Sequence, residues 1–141
     1  MFDDRYTFGT RIDAPFDAVR EGVVAALKTE GFGVLAEIDV AGTLRDKLDI
    51  EREPYLILGA CNPPFANRAI TTDPSIGALL PCNVVIRGDG AVVVVEAMDP
   101  KAVLALVGDA GVDEIATEIR SRLRRVIGVV EQQFTVMESA Q

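Results

Sequence analysis

Cys82-Asn83-Val84-Val85-Ile86-Arg87-Gly88-Asp89-Gly90-Ala91-Val92-Val93-Val94-Val95-Glu96-Ala97-Met98 is two β-branched runs broken by Gly-Asp-Gly. β-branched side chains suit a pleated, half-buried surface, and a Gly-Asp-Gly break between such runs is a hairpin signal. The reading predicts strands over residues 82–87 and 91–98, paired antiparallel. Upstream, Tyr55-Leu56-Ile57-Leu58-Gly59-Ala60-Cys61 is apolar at every position and reads as a central strand. Gly59, inside it, marks a close backbone approach or a bulge. Residues 5–12 alternate, with Tyr6, Phe8, Thr10 and Ile12 on one face and Arg5, Thr7, Gly9 and Arg11 on the other. Residues 32–39 alternate again, which predicts Phe32, Val34, Ala36 and Ile38 pointing inward.

Helical spacing separates these strands. Pro15 suits a first helical turn with Asp13 as the N-terminal acceptor, and Phe16, Val19, Val23, Ala26 and Leu27 share one face. Gly31 is the expected C′ residue. A last helix is predicted from Val112 to Phe134, with Ile115, Ile119, Leu123, Val126, Ile127 and Val130 in its apolar stripe. Its Arg120, Arg122, Arg124 and Arg125 read as a solvated face, with an anion or partner contact as the alternative. Shorter helices are expected over 41–48, within the four-proline connection 62–81, and from Pro100 to Val107. Strand, helix, four strands, helix is an α+β order: a single largely antiparallel sheet with helices on one face. The whole of 1–141 reads as a single domain with its core at about 5–134.

Composition removes several functions. The 141 residues include no His, so Ser-His-Asp and Cys-His catalysis and His-based metal sites are absent. Fourteen basic against 22 acidic residues leave a net charge of −8, which opposes nucleic acid and anionic membranes as partners. Met1-Phe2-Asp3-Asp4-Arg5 is not a signal-peptide start, and no apolar run reaches 18 residues, so a cytoplasmic location is expected. The two cysteines then read as thiols.

Each cysteine precedes an Asn: Cys61-Asn62-Pro63-Pro64 closes the third strand and Pro81-Cys82-Asn83 opens the fourth. Antiparallel neighbours would bring both to one sheet edge, with Cα atoms no more than ~7 Å apart. The connection between them would fold over as a lid carrying Asn67, Arg68, Thr71, Thr72 and Asp73. Ordinary buried cysteines and turn residues account for this pattern. So do a polar ligand pocket, a redox thiol pair and a soft-metal site, although two thiolates make only half a zinc shell. No metal site and no cofactor is assigned from the sequence. The candidate ligand-binding residues are Cys61, Asn62, Arg68, Cys82 and Asn83.

Gly31-Phe32, Glu37-Ile38-Asp39, Pro54-Tyr55 through Gly59-Ala60-Cys61-Asn62-Pro63-Pro64, Leu80-Pro81-Cys82-Asn83-Val84 and Asp99-Pro100 occur in that order. Together they resemble the prokaryotic "domain of unknown function 302" family over roughly residues 5–130. The resemblance implies a TBP-like β-α-β4-α fold, and it carries no activity or catalytic residue with it.

The expected function is a non-catalytic module that binds a small ligand or a partner at the Cys61/Cys82 edge. The alternative is a thiol-based redox or soft-metal-handling protein. Tyr55, Ile57, Val85 and the alternate valines of 92–95 would form a second apolar face, so a homodimer is expected. The competing cover for that face is the 62–81 connection.

Overall fold

The computed structural model describes residues 1–137. In chain order it contains β1 (Phe2–Asp3), β2 (Thr7–Asp13), α1 (Phe16–Thr29), β3 (Gly33–Asp39), α2 (Val40–Leu48), β4 (Tyr55–Cys61) and α3 (Pro63–Thr72). A 3-10 segment (Pro74–Leu79) leads to β5 (Cys82–Asp89) and β6 (Val92–Met98). Then come α4 (Pro100–Leu104), a 3-10 turn (Ala105–Val107), α5 (Ala110–Gln133) and β7 (Thr135–Val136). The strands form a single antiparallel sheet in the order β1-β2-β6-β5-β4-β3, with β7 also against β2. The architecture is the expected α+β. No described helix is long and apolar enough to cross a membrane.

The hairpin sets the register of the sheet. Val84 faces Ala97 and Ile86 faces Val95, so the alternate residues of both strands fall on the helix side together. Phe8 and Ile12 of β2, Leu58 and Ala60 of β4, and Val93 and Val95 of β6 are buried in the same layer. Onto it packs α5, burying Val112, Ile115, Ala116, Ile119, Leu123, Val126, Ile127 and Val130. Side chains of this type each contribute on the order of 1.5–3 kcal/mol when withdrawn from water. Beside α5, α1 buries Val19, Val23, Ala26 and Leu27.

Helix ends are set locally. Asp39, Asp99 and Asp109 each accept from a backbone N–H in the first turn of α2, α4 and α5, relieving donors that have no partner within the helix. Asp109 moves the start of α5 to Ala110, ahead of the Val112 expected from periodicity. In α1 the expectation fails differently: Pro15 is itself the cap residue, and Asp13 makes no cap bond. At the other end Gly31 has φ 83°, the Gly31 N–H donates to Lys28 and the Phe32 N–H donates to Leu27. That is a Schellman ending, and it turns the chain so that Phe32, 2% exposed, plugs the core.

The alternation predicted for 32–39 is overturned beyond Val34. Val34 faces Ala60 and Ala36 faces Gly59, so Leu35 is an extra residue bulged out of β3. A bulge inverts the phase of every residue after it. Ala36 and Ile38 therefore lie on the open side, and Glu37 reaches back to pair with Arg20 of α1. Leu35 itself is 70% exposed.

The open side of the sheet has a charged half and an apolar half. Val94 lies there between Arg11 and Arg87, yet it is fully buried under their stems. Arg11 pairs with Asp89 at 3.0 Å and Arg87 with Glu96 at 2.9 Å. On the other half, Ile38, Ile57 and Val85 stand in one cross-strand row. The 62–81 connection buries Ala69 and Ile76 in the core on the helix side, and its Pro81 reaches the open side only at Gly59, beside the row.

Leu123→Ala should lower the unfolding free energy by about 2–5 kcal/mol, because a fully packed leucine leaves a cavity. The control is Leu106→Ala at a 79% exposed position, with an expected change within about 0.5 kcal/mol. Urea unfolding of the two variants measures both.

Candidate functional site

Asn62 occupies the N-cap of α3, where a side-chain oxygen ordinarily accepts from the N–H of the second or third helical residue. Here the second helical residue is Pro64, which has no N–H to offer, and the third, Phe65, keeps one. The Asn62 side chain makes no cap bond. Its Nδ2 instead donates to the Glu30 carbonyl at 3.2 Å, across the turn that ends α1. Nη1 of Arg122 donates to the same carbonyl at 3.1 Å. One carbonyl thereby ties α1, α3 and α5 together at the end of the sheet.

Beneath this junction lies a cavity of about 260 Å³. Ala60, Cys61 and Cys82 form its floor at the ends of β4 and β5. Phe32 and the bulged Leu35 lie at one side, and Leu104 and Ile119 close the back. Phe65, Ala66, Ala69 and Ile70 of α3 form the roof, with Leu80 and Pro81 at the far edge. Asn62 is the amide in an otherwise apolar wall.

The connection does fold over the cysteine edge, but with the opposite side of its helix facing in. Asn67, Arg68, Thr71 and Thr72 are exposed, and the threonine hydroxyls bond back to the carbonyls of Asn67 and Arg68. The expected polar pocket is therefore apolar. The i, i+1, i+4, i+5 spacing of Phe65, Ala66, Ala69 and Ile70 was the signal for this stripe.

Of the five candidate residues, Cys61, Asn62 and Cys82 line the cavity. Arg68 stands outside, 5.5 Å from the centre of the Phe65 ring, beside Glu114 and Glu118. Asn83 faces Gly59 across the β4–β5 ladder and is exposed. A Cβ on Gly59 would come 3.0 Å from Cγ of Pro81, which is the close approach that the glycine marked.

The two thiols differ. Cys82 sits opposite Ala60 in the ladder, one residue from Cys61, and both are free. Cys82 is 3% exposed. Burial, with a smaller push from Cys61, raises its thiol from 9.0 to about 12. Nucleophilic and metal-binding cysteines need the reverse shift. Among the described residues no cluster of three or more His, Cys, Asp or Glu is placed to hold a metal ion.

The arginines of α5 are paired within the chain. Arg120 bridges to Asp99, Arg122 to Glu118, Arg124 to Asp3 and Arg125 to Glu30. These pairs fit the solvated-face reading of that cluster.

Fold and cavity together define an α+β domain with a small apolar chamber between the end of its sheet and a short helix. The family model described as "Domain of unknown function DUF302" matches residues 8–130, and the chain belongs to that family. It is similar to a solved structure, the crystal structure of an uncharacterized conserved DUF302 protein from Bacillus stearothermophilus. The two are 26% identical, over 89% of this chain and 98% of that one, with a TM-score of 0.84. No curated protein matches the chain.

In the folded protein, Cys82 should resist a thiol reagent such as iodoacetamide at pH 8 and become reactive in denaturant. Peptide mass spectrometry before and after unfolding reads this. The thiol is held protonated in the folded state and ionises at about 9 when unfolded. Its contribution to stability is therefore complete below pH 9 and is lost as pH rises from there towards 12. Cys82→Ala should flatten that alkaline decline.

Proposed function

We propose that this protein is a non-catalytic module that binds a small, largely apolar molecule in the cavity between α3 and the Cys61/Cys82 end of the sheet. The observation that carries the reading is the cavity itself. The pocket is half open to solvent, with Leu35 and Ile70 of its wall exposed, and an engineered apolar cavity of about 150 Å³ already binds benzene. A chamber of about 260 Å³, walled by Phe32, Leu80, Leu104 and Ile119, offers more room than that. Sites for small molecules have this composition: apolar walls with few polar groups. Thiol chemistry is the weaker reading, since burial shifts Cys82 away from the thiolate.

Two further features accompany the proposal. The two free thiols suit a reducing compartment, and we place the protein in the cytoplasm. The uncovered row of Ile38, Ile57 and Val85, with Ile38 51% exposed, supports a homodimer through the open face of the sheet.

Native mass spectrometry of protein purified from its own host should show a retained small molecule. Ala66→Leu, which puts a larger side chain into the roof, should remove that mass while the protein stays folded. An empty wild-type chain, with no thermal stabilisation by any small aromatic probe, would sink the binding role. Sedimentation at micromolar concentration should show a dimer that Ile57→Lys dissociates. A wild-type monomer near 15 kDa would refute the dimer and leave the cavity untouched.

A further inference from the structure

We propose that the molecule this cavity takes is uncharged, about the size of a bicyclic aromatic, and carries one hydroxyl or N–H that donates to Oδ1 of Asn62. This rests on the reading of the cavity as a binding site and goes on to name its ligand class. Asn62 is 7% exposed and lies in the cavity wall. Its amide orientation follows from the Glu30 carbonyl, an acceptor, which requires the NH₂ side of the amide to face it. The oxygen is left over. Of its two usual clients at a helix N-terminus, Pro64 has no N–H and the Phe65 N–H does not bond to it, and among the described residues no other donor does either. The oxygen is not sealed off, since among the described side-chain atoms only Nε of Arg11 is both fully buried and unpartnered, and a ligand donor would take the place that water otherwise fills.

Charge and size narrow the class. No Arg, Lys, Asp or Glu lines the cavity. Arg68 and Arg122 approach Phe65, but neither is part of the cavity wall, and Arg122 is committed to Glu118 and Glu30. An anionic ligand would therefore be stripped of water with no cation to meet it. The same low-polarity surroundings keep Cys82 protonated. A volume of about 260 Å³ exceeds the benzene-sized engineered cavity and suits about ten carbons.

The test compares four probes of one shape by calorimetric or fluorescence titration of the whole chain: naphthalene, 2-naphthol, 2-methoxynaphthalene and 2-naphthoate. The expected order is 2-naphthol tightest, about tenfold over naphthalene and 2-methoxynaphthalene, the worth of one buried hydrogen bond. Naphthoate should be weakest. In Asn62→Leu the naphthol preference should vanish while naphthalene still binds. Equal affinities for naphthol, its methyl ether and naphthalene would overturn the donor requirement and leave the apolar site standing. Tightest binding of naphthoate would overturn the uncharged class. Failure of all four to bind would overturn the binding role of the cavity as well.

Discussion

The apolar stripe of α5 against the inner face of the sheet is the contact on which the rest of the molecule depends. Eight residues of this helix are buried, and they meet side chains from β2, β4, β5 and β6 that share a face because the hairpin register puts them there. Without that register the valines of 92–95 would present the other set of side chains to the helix. With it, α1 and α4 have a fixed surface to pack on, and the end of α1 is carried to the end of the sheet.

That placement creates the site. The Schellman turn at Gly31 leaves the Glu30 carbonyl pointing where Asn62 and Arg122 both reach it. The Asn-Pro-Pro sequence matters twice. Proline at the first helical positions starts α3 immediately after β4. Pro64 also removes one of the two ordinary cap donors, and the asparagine amide turns to the Glu30 carbonyl instead. The helix then lies across the strand ends on small residues, Ala66 and Ala69, and does not fill the space beneath it. A chamber results where larger side chains would have made solid core.

The other face of the sheet was resolved by charge. Arginine stems cover Val94, and the ion pairs of Arg11 and Arg87 keep that half wet. The Leu35 bulge turns Ile38 towards the opposite half, next to Ile57, and enlarges the apolar row that remains uncovered.

Local patterning was enough to read the hairpin, the long helices, the Gly31 ending and the α+β class, because each is governed by side-chain period or by one residue's backbone freedom. The meeting of Cys61, Asn62 and Cys82 at one sheet end also followed from strand order. The Leu35 bulge was decided only in three dimensions: it depends on the partner strand, and a single strand's alternation carries no trace of it. The character of the pocket was likewise tertiary. Arg68 and Phe65 belong to the same short helix, and only its docking against α5 determines that the ring faces the chamber and the guanidinium faces water. Sequence by itself brought Cys61, Asn62 and Cys82 to one sheet end, and it also grouped Arg68 and Asn83 with them, which the fold does not. Packing settled which of their sides meet, since the burial of one helix face is chosen by the surface it lands on.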